Sequence, residues 1–65
     1  MNVSIRLKYN KFDKVYHITP NSNDLIILDA RIYMDGSVQY LVTSGIDNYV
    51  WINEEELTKE KIIQL

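Results

Sequence analysis

The 65 residues predict one small domain, 1–65, because 46% of them are hydrophobic and 25% are charged, as in ordinary globular proteins. A domain of this size buries only about 60% of the surface of its unfolded chain, which leaves little room for a closed catalytic cleft. The sequence has no cysteine, which excludes disulfides and thiolate metal sites and favours a reducing compartment, the cytoplasm. The net charge of −2 argues against general binding to polyanions, and no run approaches the roughly 18 apolar residues of a membrane span.

The charges are unevenly distributed along the chain. Residues 1–33 carry five basic and three acidic side chains, a net +2, whereas residues 34–65 carry two basic and six acidic ones, a net −4. Four of the basic residues form an N-terminal basic strip, made of Arg6, Lys8, Lys11 and Lys14. The basic strip makes nucleic acid an alternative partner, although basic residues that alternate along a strand also form an ordinary solvated face.

The N-terminal third of the sequence predicts two strands. In residues 3–9 apolar and polar side chains alternate, which predicts an amphipathic strand. Residues 12–18 predict a second strand, which ends before Pro20 because proline cannot donate to a ladder. The pattern leaves open whether Tyr16 or His17 faces the core. The expected packing residues of this strand are Val15, Tyr16 and Ile18.

Residues 25–44 predict a long β-hairpin around which the rest of the chain is organised. The even-numbered positions of both arms are apolar, and Asp35-Gly36 is a strong turn signal. A two-residue turn would place polar residues opposite the apolar rows, whereas a three-residue loop, 34–36, aligns the rows and puts Gly36 where a left-handed residue is needed. The expected pairs are therefore Ile32 with Val38, Ala30 with Tyr40, and Leu28 with Val42.

This register also assigns the faces of the hairpin. Leu28 and Val42 are expected to be buried, whereas Arg31 and Gln39 are expected to be exposed. The accessible face is then mixed in character and contains Asp29, Arg31, Tyr33, Gln39, Leu41 and Thr43.

The C-terminal third predicts one more strand at residues 49–52. Its alternation places Val50 and Ile52 on one face and Tyr49 and Trp51 on the other. After this strand, Asn53 is expected to cap one short helical turn near residues 53–57, with Glu56 completing a capping box and Leu57 packing under the sheet. Residues 61–65 fit either a last strand or a second helical turn, and their adjacent β-branched residues favour the strand.

Three stretches together resemble a small SH3-like barrel of the Tudor type. They are Phe12-Asp13-Lys14-Val15-Tyr16, where such domains often begin with Gly-Asp-x-Val, the hairpin segment 32–42, and the strand with its acidic turn, 51–57. The resemblance covers residues 12–65 and implies an all-β barrel, here preceded by an additional strand at 3–9. Similar short chains occur as uncharacterised proteins of bacteria and phages. Phe12 departs from the pattern because glycine is usual at its position.

Aromatic residues on the predicted outer faces are the candidate binding residues. Tyr33, Tyr49 and Trp51 are expected to anchor a protein or peptide partner. Together with Tyr16 they also fit an aromatic cage for a methylated ammonium group, which some Tudor-type domains use. The alternative is that these rings only supply the bulk that a small barrel needs.

The sequence carries no catalytic or metal motif. His17 is the single histidine and has no cysteine or second histidine beside which to bind a metal, and Glu54, Glu55 and Glu56 fit a solvated charged turn. We therefore expect no enzyme activity, no metal and no cofactor, and predict a non-catalytic interaction module. Nucleic-acid binding is the alternative, and a third reading is self-association through residues 3–9 as a structural component of a phage or bacterial assembly.

Overall fold

The computed structural model describes residues 7–45 and 48–63, and these form an all-β domain with five antiparallel strands in one sheet. The strands lie in the order β4-β3-β2-β1-β5, so the first and last strands are neighbours. The all-β class expected from the sequence is confirmed. The elements are β1 (Lys14–His17), β2 (Leu25–Ile32), β3 (Val38–Gly45), β4 (Asn48–Asn53), a 3-10 helix (Glu54–Glu56) and β5 (Leu57–Thr58).

The predicted three-residue loop closes the hairpin between β2 and β3. Ile32 pairs with Val38 and Ala30 with Tyr40, as expected. Gly36 has a φ of +89°, the left-handed conformation that the loop requires. The backbone N–H groups of Tyr33 and Gly36 donate to the carbonyls of Ser37 and Tyr33, both over 2.9 Å, and close the turn.

The expected pair of Leu28 with Val42 is wrong, because β2 contains a bulge. Ile27 pairs with Val42 and Asp29 with Leu41, which leaves Leu28 as the extra residue between them. An extra residue reverses the alternation of side chains, so Ile27 points into the core with 1% of its surface exposed, whereas Leu28 is half-buried.

The bulge lies where β2 changes partners. Beyond it towards the N-terminus, Ile27 is held by the 10–13 turn: its carbonyl accepts from the N–H of Phe12 at 2.7 Å, and its N–H donates to the carbonyl of Asp13 at 3.0 Å. β2 then continues alongside β1, with Lys14 opposite Ile26. The bend at the bulge thus lets one strand pair with β3 at one end and with β1 at the other.

Among the described residues the core is one cluster of six side chains, in which Tyr40 occupies the centre. Its phenol oxygen accepts hydrogen bonds from the backbone N–H groups of Lys8 at 2.9 Å and Tyr9 at 3.3 Å, and donates to Glu54 Oε2 at 2.6 Å. The ring of Tyr9 packs edge-on against that of Tyr40 with centroids 5.3 Å apart, and the Tyr9 hydroxyl donates to the carbonyl of Leu57. The buried residues are Tyr9, Val15, Ile27, Tyr40, Val42 and Leu57.

This arrangement corrects the predicted strand at residues 3–9. Residues 7–9 do not form a strand, because the Tyr40 hydroxyl takes the N–H groups of Lys8 and Tyr9 that a ladder would use. Residues 3–6 lie outside the described residues.

The structure also corrects several smaller predictions. Three residues expected on the packed side, Ile18, Ile32 and Val50, are exposed. Ile18 follows the last residue of β1, Ile32 is the last residue of β2, and Val50 lies on β4 at the edge of the described sheet, so each has fewer neighbours than a residue in the middle of a central strand. Tyr16 and His17, between which the sequence did not decide, are both half-buried.

The C-terminal predictions are corrected in part. The helical turn is a 3-10 helix, and the Asn53 side chain makes no capping hydrogen bond. Leu57 is buried as predicted. Residues 61–63 form no strand, and residues 64 and 65 lie outside the described part.

Candidate binding face

The accessible side of β2, β3 and β4 brings the predicted aromatic residues onto one surface, which we call the outer face. Residues that are directly paired across neighbouring strands place their side chains on the same side of a sheet. Gln39 of β3 is paired with Arg31 on one side and with Asn53 on the other, and Leu41 is paired with Asp29 and Trp51 in the same way. The outer face consists of Asp29, Arg31, Tyr33, Gln39, Leu41, Thr43, Tyr49, Trp51 and Asn53.

Arg31 lies at the centre of the aromatic part of the outer face. Its guanidinium carbon is 4.2 Å from the centroid of the Trp51 ring and 5.4 Å from that of the Tyr33 ring. A cation held over an aromatic face at these distances is attracted to the ring, by about 0.5–1 kcal/mol at an exposed site. The sequence pattern predicts that Tyr33 and Trp51 point outward, and in the structure both contact Arg31, for which the pattern predicts only an exposed position.

Gln39 fixes Arg31 in this position. The Gln39 side-chain oxygen accepts from Arg31 Nε at 2.9 Å, from Arg31 Nη2 at 2.6 Å and from the Tyr33 hydroxyl at 2.8 Å. Its amide nitrogen donates to Asn53 Oδ1 at 2.8 Å, so the network crosses three strands. Gln39 was expected to be exposed, but it is half-buried because Arg31 and Tyr33 cover it.

The geometry bears directly on the aromatic-cage interpretation. Tyr33 and Trp51 already contact the chain's own cation, in the place that a methylated ammonium would take in a cage. Tyr49 lies two residues before Trp51 on the same side of β4 and is 60% exposed. Tyr16 lies on β1 opposite Thr58 of β5, with β2 and β3 between it and β4. The four rings therefore do not surround one position.

The residues of the basic strip do not alternate along one strand as the sequence pattern suggested. Lys8, Lys11 and Lys14 are exposed, Arg6 lies outside the described residues, and Lys8 belongs to no strand. Lys14 forms a surface ion pair with Asp24 at 3.8 Å, a type of pair that contributes little to stability.

A second aromatic surface lies beside the basic strip and was not predicted. The ammonium of Lys11 is 5.2 Å from the centroid of the Phe12 ring, which is 68% exposed. Phe12 also has a φ of +72°, a left-handed conformation that a residue with a large side chain rarely adopts. The one sequence signal for this feature was that Phe12 stands where the Tudor-type domains that the chain resembles usually have glycine.

The described residues 7–45 and 48–63 do not contain a group of three or more His, Asp or Glu side chains arranged to hold a metal ion. In the same part of the chain no helix has the length and apolar character to cross a membrane. Comparison of the chain with family models, with curated proteins and with solved structures found no match.

Proposed function

We propose that this chain is a non-catalytic interaction module, built as a small SH3-like barrel, that binds a protein or peptide through Tyr33, Tyr49 and Trp51. The observation that carries the proposal is the network in which Gln39 fixes Arg31 against Trp51 and Tyr33 on an exposed face. Tryptophan, tyrosine and arginine are the residues that contribute most to protein interfaces. A surface whose side chains are already fixed loses little conformational freedom when a partner binds.

Two features support the barrel assignment within this proposal. The first and last strands are paired, Tyr16 with Thr58 and His17 with Leu57, which curls the sheet towards closure. Phe12 adopts a left-handed conformation at the position where Tudor-type barrels usually carry glycine, the residue that adopts it most easily.

A screen with short random peptides tests the peptide-binding proposal. We expect the wild-type chain to enrich peptides from a display library, and Trp51→Ala to weaken their binding by at least about fivefold, equivalent to about 1 kcal/mol. Phe12→Gly is the matched control, because it removes an exposed aromatic ring from a different surface. Urea denaturation of both variants checks that they fold. Failure to enrich any peptide, or equal binding by the wild type and a folded Trp51→Ala, would contradict the proposal.

A second candidate function, single-stranded nucleic-acid binding, is favoured by the surface around Phe12. An exposed ring next to basic residues offers a platform on which a base stacks, worth about 1–3 kcal/mol per base. The residues that this function would use are Phe12, Lys8, Lys11 and Lys14, with Arg6 of the same strip.

Phe12→Gly tests this second function. The substitution replaces a strained left-handed residue by glycine, so we expect it to leave stability unchanged or raise it by up to about 1 kcal/mol. Retention on an oligothymidine column should nevertheless fall, and retention of the wild type should weaken as salt rises. Trp51→Ala is the reciprocal control and should be retained like the wild type. A wild-type chain that flows through at low salt would exclude this function.

Two other expectations remain predictions within this proposal. One is a reducing location such as the cytoplasm, and the other is self-association through residues 3–9 in a bacterial or phage assembly. Sedimentation over a range of protein concentrations tests the second.

A further inference from the structure

Arg31 has hydrogen-bonding capacity that the described part of the chain does not use. A guanidinium carries five N–H groups. Two of them, on Nε and Nη2, donate to Gln39, and among the described residues the others have no hydrogen-bond partner. The ion pairs of those residues, Lys14 with Asp24 and Lys59 with Asp13, do not include Arg31, whose side chain is exposed.

Arg31 is exposed, so those N–H groups are accessible to a partner. The guanidinium carbon lies over the Trp51 ring, 4.2 Å from its centroid, and the N–H bonds extend in the plane of the guanidinium towards its edges, where a hydrogen-bond acceptor binds. The free edge, with Nη1 and the remaining N–H of Nη2, has the fork geometry that matches the two oxygens of a carboxylate.

We infer that the outer face binds an acidic peptide segment, in which the carboxylate of an Asp or Glu side chain pairs with Arg31. This inference rests on the proposed peptide-binding function and names the chemistry of its partner. Residues of the peptide beside the acidic one contact the exposed ring of Tyr49 and the accessible part of the half-buried ring of Trp51. In the described sheet β4 is an edge strand, which allows an extended peptide to lie along it.

The charges around Arg31 distinguish this partner from two others. A methylated ammonium would be placed against the cation that already covers Tyr33 and Trp51, and like charges at such short range repel. A nucleic-acid backbone requires several cations, whereas Arg31 is the single basic residue in β2, β3 and β4. One isolated, fixed guanidinium fits a single carboxylate.

A double-mutant cycle between the chain and a peptide tests the inference. The probes are one peptide enriched from the display library and its variant with the acidic residue changed to the matching amide, Glu to Gln or Asp to Asn. The change should weaken binding to the wild type by about tenfold, because it removes a hydrogen bond between charged groups. The same change should have little effect on binding to Arg31→Met. Lys14→Met, which removes a different exposed charge, should bind both probes like the wild type.

The outcomes separate this inference from the function on which it rests. Enriched peptides without acidic residues, or an amide change that is equally costly in the wild type and Arg31→Met, would overturn the carboxylate partner and leave peptide binding intact. Preference for a trimethyl-lysine peptide or for oligothymidine would also overturn it. If no peptide is enriched, the proposed function fails and the inference fails with it. If urea denaturation shows that Arg31→Met is unfolded, Arg31→Lys takes its place. The difference in binding of the acidic and amide peptides to the wild type then still tests the carboxylate partner.

Discussion

Replacing Ile27 with alanine is expected to lower the free energy of unfolding by about 2–5 kcal/mol, a large part of the stability of so small a domain. Ile27 is 1% exposed and packs in the cluster with Val15, Tyr40 and Val42, so the lost methyl groups leave a cavity there. The neighbouring Leu28 is half-buried at the bulge, and Leu28→Ala should cost only about 1 kcal/mol. Urea denaturation of both variants measures the difference.

The comparison is informative because the two residues are adjacent and nearly equal in size. In a regular hairpin without a bulge, Leu28 would face Val42 and its truncation would be the more damaging. A larger loss for Leu28→Ala than for Ile27→Ala would therefore show that the bulge is misplaced.

The hairpin shows what local sequence can and cannot determine. The loop and the register from Ile32 to Ala30 were predictable, because Asp35-Gly36 dictates the turn and the apolar rows align in only one way. The bulge was not predictable, because residues 25–28 are all apolar and contain no alternation to read. It depends instead on the contact of Ile27 with Phe12 and Asp13, which are distant in the sequence.

The candidate site also has features that local sequence predicts and features that it does not. The outward orientation of Tyr33, Tyr49 and Trp51 followed from the period of two within each strand. The position of Arg31 between Trp51 and Tyr33 did not, because it requires the register of β4 against β3, which the sequence leaves open. Without that register, Arg31 could only be described as exposed.

The prediction of a strand up to Tyr9 was wrong for a different reason. Alternation up to Tyr9 is typical of a strand, but alternation describes side chains and does not decide where the backbone N–H groups bond. At Lys8 and Tyr9 they bond to the Tyr40 hydroxyl, a single acceptor from β3. Tyr9 still points inward, as the pattern indicated, and its ring packs on Tyr40.

Tyr40→Phe is expected to lower the free energy of unfolding by about 1–3 kcal/mol at neutral pH, although it removes only one oxygen atom. That oxygen accepts the N–H groups of Lys8 and Tyr9 and donates to Glu54. Phenylalanine fills the same space in the core, so the expected loss comes from polar groups left without partners rather than from a cavity. Tyr49→Phe is the matched control, because the Tyr49 hydroxyl makes no hydrogen bond among the described residues and its removal should change stability little.

The same hydroxyl predicts how the protein responds to alkali. Burial, together with the hydrogen bond to the Glu54 carboxylate, raises the pKa of Tyr40 from 10.0 to about 12. The folded protein therefore holds this proton more tightly than the unfolded chain does, and the resulting stabilisation is fully present below pH 10. It is lost as the pH rises from 10 towards 12, so the free energy of unfolding should fall over this interval in the wild type and in Tyr49→Phe. The free energy of unfolding of Tyr40→Phe should be lower at neutral pH and should not show the part of the decrease between pH 10 and 12 that comes from Tyr40. If its stability fell as steeply with pH as that of the wild type in urea denaturation, the buried phenol would not be the titrating group.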